Sequence, residues 1–331
     1  EVVENFERKF EEFIGSGYTL SLNSGTAALH IALILAGVKE GDEVISTAMT
    51  AEPTNVAIKM VGANVRWADV DYETGNIAPK AIENAINEKT KAIIVVDYAG
   101  TPVDVKRIQE ISKKYNIPVI EDAAHALGTT YNGRKTGNHF PFTVFSFQAI
   151  KHLTTIDGGA LQIQDKKLYE KGKLIRWFGL DKKLTRLEND IQIQGYKYHM
   201  NNVNATIGLV QLETIEELLQ QYQTIGKYLD LKLKGLPGLE TVEHYPNSES
   251  SYWLYTLKVD RRDDFIKMMA DNGFMASEIH KRNDLHTYLN DYPAEMPNLD
   301  KFYSRLVHIP CGWWVTLEDC DKMIELIKKG W

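Results

Sequence analysis

The sequence predicts an α/β protein: a large, mostly parallel sheet flanked by helices, followed by a smaller C-terminal α+β unit. Three observations carry that prediction. Over the first two thirds of the chain, apolar strand-like runs alternate with amphipathic stretches of helical length. A longer helical pattern follows, from Asn204 to about Tyr228. The glycine- and proline-bearing stretch 235–246 then ends that helix, and a second, shorter set of strand and helix signals begins. Strands separated by helices of this length favour parallel pairing with helices on both faces.

In chain order, the strand candidates of the first unit are Glu43–Ser46, Asn64–Asp69, Ala92–Asp97, Pro118–Glu121 and Val144–Phe147. Helix patterns lie among them at Ala27–Leu35, Thr54–Val61, Pro79–Ile86 and Val105–Tyr115. Leu153–Asp165 reads as a strand hairpin, because Gly158 and Gly159 interrupt a run of β-formers. In the long helix, Leu209, Leu212, Ile215 and Leu219 recur at helical spacing. The stretch 235–246 reads as a loop. Beyond it come a strand at Tyr252–Val259, a helix at Asp264–Asn272 and another strand at Met275–His280. The expected division is a large unit over 1–213 and a small one over 214–331, with the long helix leading into the second.

Composition narrows the function classes. With 44% apolar and 25% charged residues among 331, the chain can bury a core large enough to offset its ordering entropy. Thirty-eight basic against 45 acidic residues leave a net charge of −7, which disfavours a dedicated nucleic-acid binder. A small basic pocket for one anion is compatible with that balance. Cys311 and Cys320, the only two cysteines, have no metal-ligand spacing and are expected to be reduced core thiols. No apolar run approaches membrane-spanning length, and the opening Glu1-Val2-Val3-Glu4 does not read as a signal peptide. The expectation is a soluble, cytoplasmic protein with no metal and no membrane partner.

Three segments carry candidate chemistry. Asn23-Ser24-Gly25-Thr26-Ala27-Ala28 opens the first strong helix, where small residues leave backbone N–H groups uncovered for a phosphate. Alone, it reads more readily as an N-cap with no ligand. Glu121-Asp122 ends a buried strand, and alternation sends only one of the two carboxylates into a given site, with His125 close behind. An exposed strand end with a helix cap is an equally good reading of that segment alone. Lys151, near Phe147, Ile150 and Leu153, is expected to be partly desolvated, which lowers an amine's pKa and favours Schiff-base chemistry. A lone lysine more often snorkels past an apolar strand. Together, a phosphate cradle, a carboxylate for a ring nitrogen and an amine for an aldehyde are the three handles that pyridoxal 5'-phosphate (PLP) needs.

These segments closely resemble the DegT/DnrJ/EryC1/StrS family of PLP-dependent sugar aminotransferases. The matching stretches are Asn23-Ser24-Gly25-Thr26-Ala27-Ala28-Leu29, Glu121-Asp122-Ala123-Ala124-His125-Ala126, and Phe145-Ser146-Phe147 with Lys151 and Asp157-Gly158-Gly159-Ala160 after it. Gly195-Tyr196-Lys197-Tyr198, Asn204-Ala205 and His308-Ile309-Pro310 extend the likeness over almost the whole chain. The resemblance implies the type I PLP aminotransferase fold. It also implies that Lys151 forms the internal aldimine, Asp122 bonds the pyridine nitrogen, and Gly25, Thr26 and Ser146 hold the cofactor phosphate. His125 falls near the cofactor ring and its 3-hydroxyl. The family's dehydratase branch carries histidine in place of the lysine; here Lys151 stands at the lysine position, with His152 after it.

The implied reaction moves an amino group from an amino acid, L-glutamate by resemblance, to a keto sugar linked to a nucleotide. The segment around Lys197–Asn201 reaches a partner's site in the family, so a homodimer with shared active sites is expected. Lys197 stands where many members carry asparagine. Lys197, Lys281 and Arg282 are candidates for the substrate diphosphate, and His280 and Trp313 for the substrate wall. Two departures stand out. Met49-Thr50 is followed by Ala51 where many members place a stacking aromatic, and the helix and Gly-Pro-bearing strand that usually precede the segment matching Val3–Phe13 are missing. Two other readings are a PLP aminotransferase for a small keto or phosphorylated acceptor, and a catalytically silent PLP-binding subunit. The intact Asp122/Lys151 pair argues against the silent subunit. No G-x-G-x-x-G follows the first strand, which disfavours a nicotinamide-binding protein.

Overall fold

The computed structural model describes residues 1–331. The chain opens with α1 (Val2–Ile14), β1 (Tyr18–Leu22) and α2 (Gly25–Leu35). Strand and helix then alternate through β2 (Glu43–Ser46), α3 (Glu52–Met60), β3 (Asn64–Trp67), α4 (Pro79–Ala85), β4 (Thr90–Val96) and α5 (Val105–Tyr115). β5 (Val119–Asp122) leads through the short strands β6 (Thr130–Tyr131) and β7 (Arg134–Lys135) to β8 (Phe142–Ser146) and β9 (Gly159–Ile163). α6 (Lys166–Arg176) and the 32-residue α7 (Asn202–Leu233) follow. The remainder holds β10 (Leu239–Thr241), β11 (Ser248–Glu249), β12 (Tyr255–Val259), α8 (Arg262–Asp271), α9 (Pro297–Arg305), β13 (Leu306–Ile309) and α10 (Leu317–Lys329). No helix is long and apolar enough to cross a membrane.

Seven strands form one sheet in the order β1-β9-β8-β5-β4-β2-β3. Pairing is parallel from β8 through β3, and only β9 runs against its neighbours β1 and β8. The mostly parallel sheet expected from the alternation is therefore present. Strand alternation sorts its two faces. Val44, Ile94 and Ile120 pack with α2, which is apolar on nearly every side and correspondingly buried. Ile45, Ile93, Val95 and Val119 turn to the opposite face, against Ile82 of α4 and Ile108 and Ile111 of α5.

The long helix α7 is shared between two cores. Its Ile215 and Leu219 pack with Phe6 and Phe10 of α1 and with Phe145, Phe147 and Leu153. Its Ile225, Leu229 and Leu233 pack with β12, β13 and α10. The expected division at 213/214 falls inside this helix. The C-terminal part also reaches back, because Leu289, Met296, Leu299 and Phe302 join the core built around α2.

Three sequence expectations are corrected. Leu153–Asp165 is not a hairpin: residues 153–158 are loop, and Gly159–Ile163 is one strand held on both sides by β1 and β8. Met275–His280 is not a strand. Ile279 sits in the left-handed region at φ 64°, and the segment makes only a single bridge, Ser277 to His308, while β13 takes the place beside β12. The expected loop at 235–246 contains β10, which pairs with β12. Cys311 and Cys320 are free and buried.

Phe10 is fully buried, with edge-on contacts to Phe145 and Phe147 at 5.3 Å each. Phe10→Ala is expected to cost about 3–5 kcal/mol of stability by opening a cavity between α1, the sheet and α7. Denaturant unfolding checks this, and a midpoint equal to wild type would refute the packing described.

Candidate active site

A cleft of about 430 Å3 opens at the carboxyl ends of the parallel strands, where sheets of this class take their ligands. Its lining comes from the start of α2, the ends of β5 and β8, the Thr50–Thr54 turn, the loop bearing Lys151, and His280. His280 arrives from the C-terminal part because Asn283 is pinned to the large unit. The Asn283 backbone N–H donates to the Ala48 carbonyl at 2.9 Å, and its side-chain amide donates to the Thr50 carbonyl at 2.8 Å.

Ser24 caps α2 from an extended backbone, its Oγ accepting from the Ala27 N–H at 3.1 Å. The first-turn amides of Gly25 and Thr26 have no intrahelical acceptor and carry the positive end of the helix dipole. Ser146 closes this cradle: a Cβ added at Gly25 would lie 3.2 Å from Ser146 Cβ. A Cβ at Gly159 would lie 2.5 Å from the Gly25 nitrogen, so that position tolerates no side chain. The predicted phosphate residues Gly25, Thr26 and Ser146 therefore meet in one place.

Asp122, nearly sealed, accepts from Thr54 Oγ1 at 2.7 Å and from the Ala124 N–H at 3.1 Å. Burial pushes its carboxyl up, while those two donors and the nearby Lys151 hold it down. Glu121 points to the other face of the sheet, as alternation requires. It accepts from Thr143 Oγ1 at 2.8 Å, and burial pushes its carboxyl up to about 7. Asp97 beside it is pushed well above the usual carboxylate range, first by burial and then by Glu121. Asp97 Oδ2 and Glu121 Oε1 are both buried without a hydrogen-bond partner.

Burial lowers the Lys151 amine to about 8, with Asp122 opposing the fall. The source of that burial differs from the sequence expectation. Phe147 and Leu153 face the α1–α7 cluster and Ile150 is 62% exposed, whereas the lysine amine lies over the Trp253 ring, 3.8 Å from its centroid. His125 stacks on the same indole, with centroids 3.8 Å apart, and on His280 at 5.9 Å. Burial depresses both imidazoles, so both are neutral, and His280 Nε2 is buried without a partner. His152 turns away from the cleft and packs edge-on against Tyr222.

The structure thus brings together Gly25, Thr26, Asp122, His125, Ser146, Lys151 and His280, and leaves four predicted residues outside. Arg282 is not free for a substrate, since Asp284 and Asp300 hold its guanidinium. Lys281 is exposed and lies outside the cleft lining. Trp313 is 62% exposed in a groove against α7 with Glu217 and Gln220. Lys197 is exposed, its carbonyl accepting from Asn23 Nδ2 at 3.3 Å. Thr54 and Trp253 were not singled out from the sequence. Thr54 lies 68 positions from the carboxylate it holds, and Trp253 reads as an ordinary strand aromatic.

Known proteins resemble this chain over nearly its whole length. The model of the DegT/DnrJ/EryC1/StrS aminotransferase family matches residues 1–328. The UDP-4-amino-4,6-dideoxy-N-acetyl-beta-L-altrosamine transaminase of Campylobacter jejuni is 31% identical, over 99% of this chain and 91% of its own length. Sugar aminotransferase CalS13 from Micromonospora echinospora has a TM-score of 0.96 at 36% identity, covering 100% of this chain and 92% of its own. Spr1654 from Streptococcus pneumoniae, solved in a PLP form and a PMP form, has a TM-score of 0.90 at 30% identity; the match covers 99% of this chain and 91% and 90% of those chains, respectively. The chain belongs to the DegT/DnrJ/EryC1/StrS aminotransferase family and has the fold of its sugar aminotransferases.

The buried acid pair generates a pH prediction. Because Glu121 is raised from 4.5 to about 7, the folded protein keeps a proton that the unfolded chain has already released between those values. Glu121 therefore favours folding less as pH rises through that window. Glu121→Gln keeps the Thr143 contact and removes the titration. Denaturant midpoints at about pH 5 and about pH 8 should then differ less in the variant than in wild type. Equal differences in the two proteins would exclude a raised Glu121.

Proposed function

We propose that this aminotransferase uses PLP to carry an amino group from an amino acid, L-glutamate in the leading reading, to the ketone of a nucleotide-linked sugar. The observation that carries the cofactor reading is the arrangement of one cleft: the first turn of α2 with free Gly25 and Thr26 amides beside Ser146, a dry carboxylate on Asp122, and a desolvated amine on Lys151. These donors fit the group. Gly25, Thr26 and Ser146 would hold its phosphate, Asp122 its protonated ring nitrogen, and Lys151 its aldehyde.

When bound, PLP supplies an aldehyde that bonds amines and a ring that accepts electrons from the adjoining carbon. The chain's own residues do the rest. Asp122, fixed by Thr54 and Ala124, keeps a negative charge where a ring cation needs one. Lys151 Nζ, with its pKa brought toward neutrality, would take the proton from the substrate carbon and hold it for return. Neutral His125 offers a flat face beside the ring site without adding charge.

The sugar-nucleotide acceptor is supported by the Campylobacter jejuni relative, a transaminase of a UDP-linked amino sugar. A homodimer with shared sites is supported by charge. Within one chain the cleft is lined by Glu52, Asp122 and Asp157 against Lys151 alone, whereas a cofactor phosphate and a substrate diphosphate are both anionic. Cations supplied from a second copy would balance them. The segment around Lys197 suits this role, since it is exposed and lies near Leu187, 99% exposed, and Ile191, 60% exposed.

The test is spectroscopic. Purified protein with added PLP should show the yellow absorbance of a lysine Schiff base, and L-glutamate should bleach it toward the amine form of the cofactor. Lys151→Ala should bind PLP without the yellow band. A band that glutamate leaves untouched would remove the donor assignment, and no band in wild type would remove the cofactor assignment.

A further inference from the structure

The loop that carries Lys151 is pinned by a segment about a hundred positions away in sequence. Trp253, just ahead of β12, is buried, and its indole N–H donates to the Ile150 carbonyl at 2.9 Å. The Ser251 carbonyl lies 3.2 Å from His152 Nε2. Both neighbours of the lysine are thus tied to the strap 251–253. The lysine amine itself stands 3.8 Å from the indole centroid, and the same ring stacks on His125 at 20°.

An ammonium over an indole face is attracted by the ring quadrupole, and more strongly where water is excluded. The ring has no lone pair to take the proton, because its one polar atom is a donor already engaged by Ile150. The titratable groups around the amine are Asp122 at the end of β5, which favours its charged form, and His125, His152 and His280, each held neutral by burial.

We propose that Trp253 is a positioning residue for Lys151. Its indole face seats the amine and stabilises the ammonium that Nζ becomes when it takes up a proton. The proposal rests on the reading of Lys151 as the amine that bonds the cofactor. It also couples the lysine to the C-terminal unit, since β12 carries the strap.

The experiment uses the cofactor-free full chain. Trace acylation with acetic anhydride over a pH series, read at Lys151 by peptide mass spectrometry, reports the titration of this one amine. Trp253→Leu should lower the midpoint by about one pH unit, because the ammonium loses its π partner. Trp253→Phe, with a weaker aromatic face, should fall between Leu and wild type. If the Leu variant does not fold, the Phe variant decides, and its midpoint should lie below that of wild type. A midpoint that is unchanged in the deciding variant, or raised by it, would overturn the proposal. Adding PLP to wild type separates the two readings: failure to turn yellow would refute the cofactor role of Lys151, while the labelling midpoints still judge Trp253.

Discussion

The passage of Gly159 beneath the Ser24–Gly25 peptide is the constraint on which the rest of the site depends. There is no room for a side chain at the crossing. β9 can reach it only by entering the sheet against the direction of its neighbours, between β1 and β8. That reversal sets Gly159 beside Ser146, and with it the N-terminus of α2 beside the end of β8. β5 pairs with the other edge of β8, so the anion cradle and Asp122 stand on either side of a single strand. Their separation is fixed by the sheet and not by flexible loops, which is what a rigid ligand with charges at two ends requires.

Much of this was legible in the sequence because it depends on local signals. The parallel strands are short apolar runs between amphipathic helices, and α5 matches its predicted span of Val105–Tyr115 to the residue. Ser24, the small residues after it and the paired Glu121-Asp122 are also local patterns. What escaped is long-range. Whether Gly158-Gly159 turns a hairpin or lets a single strand pass under a helix depends on the position of Ser24, far earlier in the chain. The apparent strand at Met275–His280 has strand-like composition. Its place beside β12 is taken by β13, and Ile279 turns left-handed so that the chain can carry His280 to the cleft.

The same distinction explains the substrate candidates. Lys281 and Arg282 are basic residues, and their charge made them candidates for a substrate diphosphate. In the fold, Asp284 and Asp300 hold Arg282 on the far side of the turn that Asn283 anchors. Burial of Asn283, with its amide divided between Thr50 and Asn55, is what sends alternate residues of this segment to opposite destinations. A cation that is already paired gains little by leaving two carboxylates for a ligand, so Arg282 is better read as the brace of this turn.

Glu121 and Asp122 illustrate how one strand end yields two chemistries. Both side chains are buried carboxyls, and burial pushes both upward. Alternation gives them different partners. Asp122 receives Thr54 and Ala124, donors that favour its ionised form, and faces the cleft and Lys151. Glu121 faces Asp97, a second carboxyl that penalises ionisation of either, and each keeps one oxygen without a donor. Retention of a proton by this pair relieves the repulsion between the two carboxyls on the face turned from the cleft. Alternation thus sets a carboxyl that holds its proton on one face of the strand end and, on the other, a carboxylate whose donors and whose lysine favour its charge, so two adjacent acids serve different ends without sharing partners.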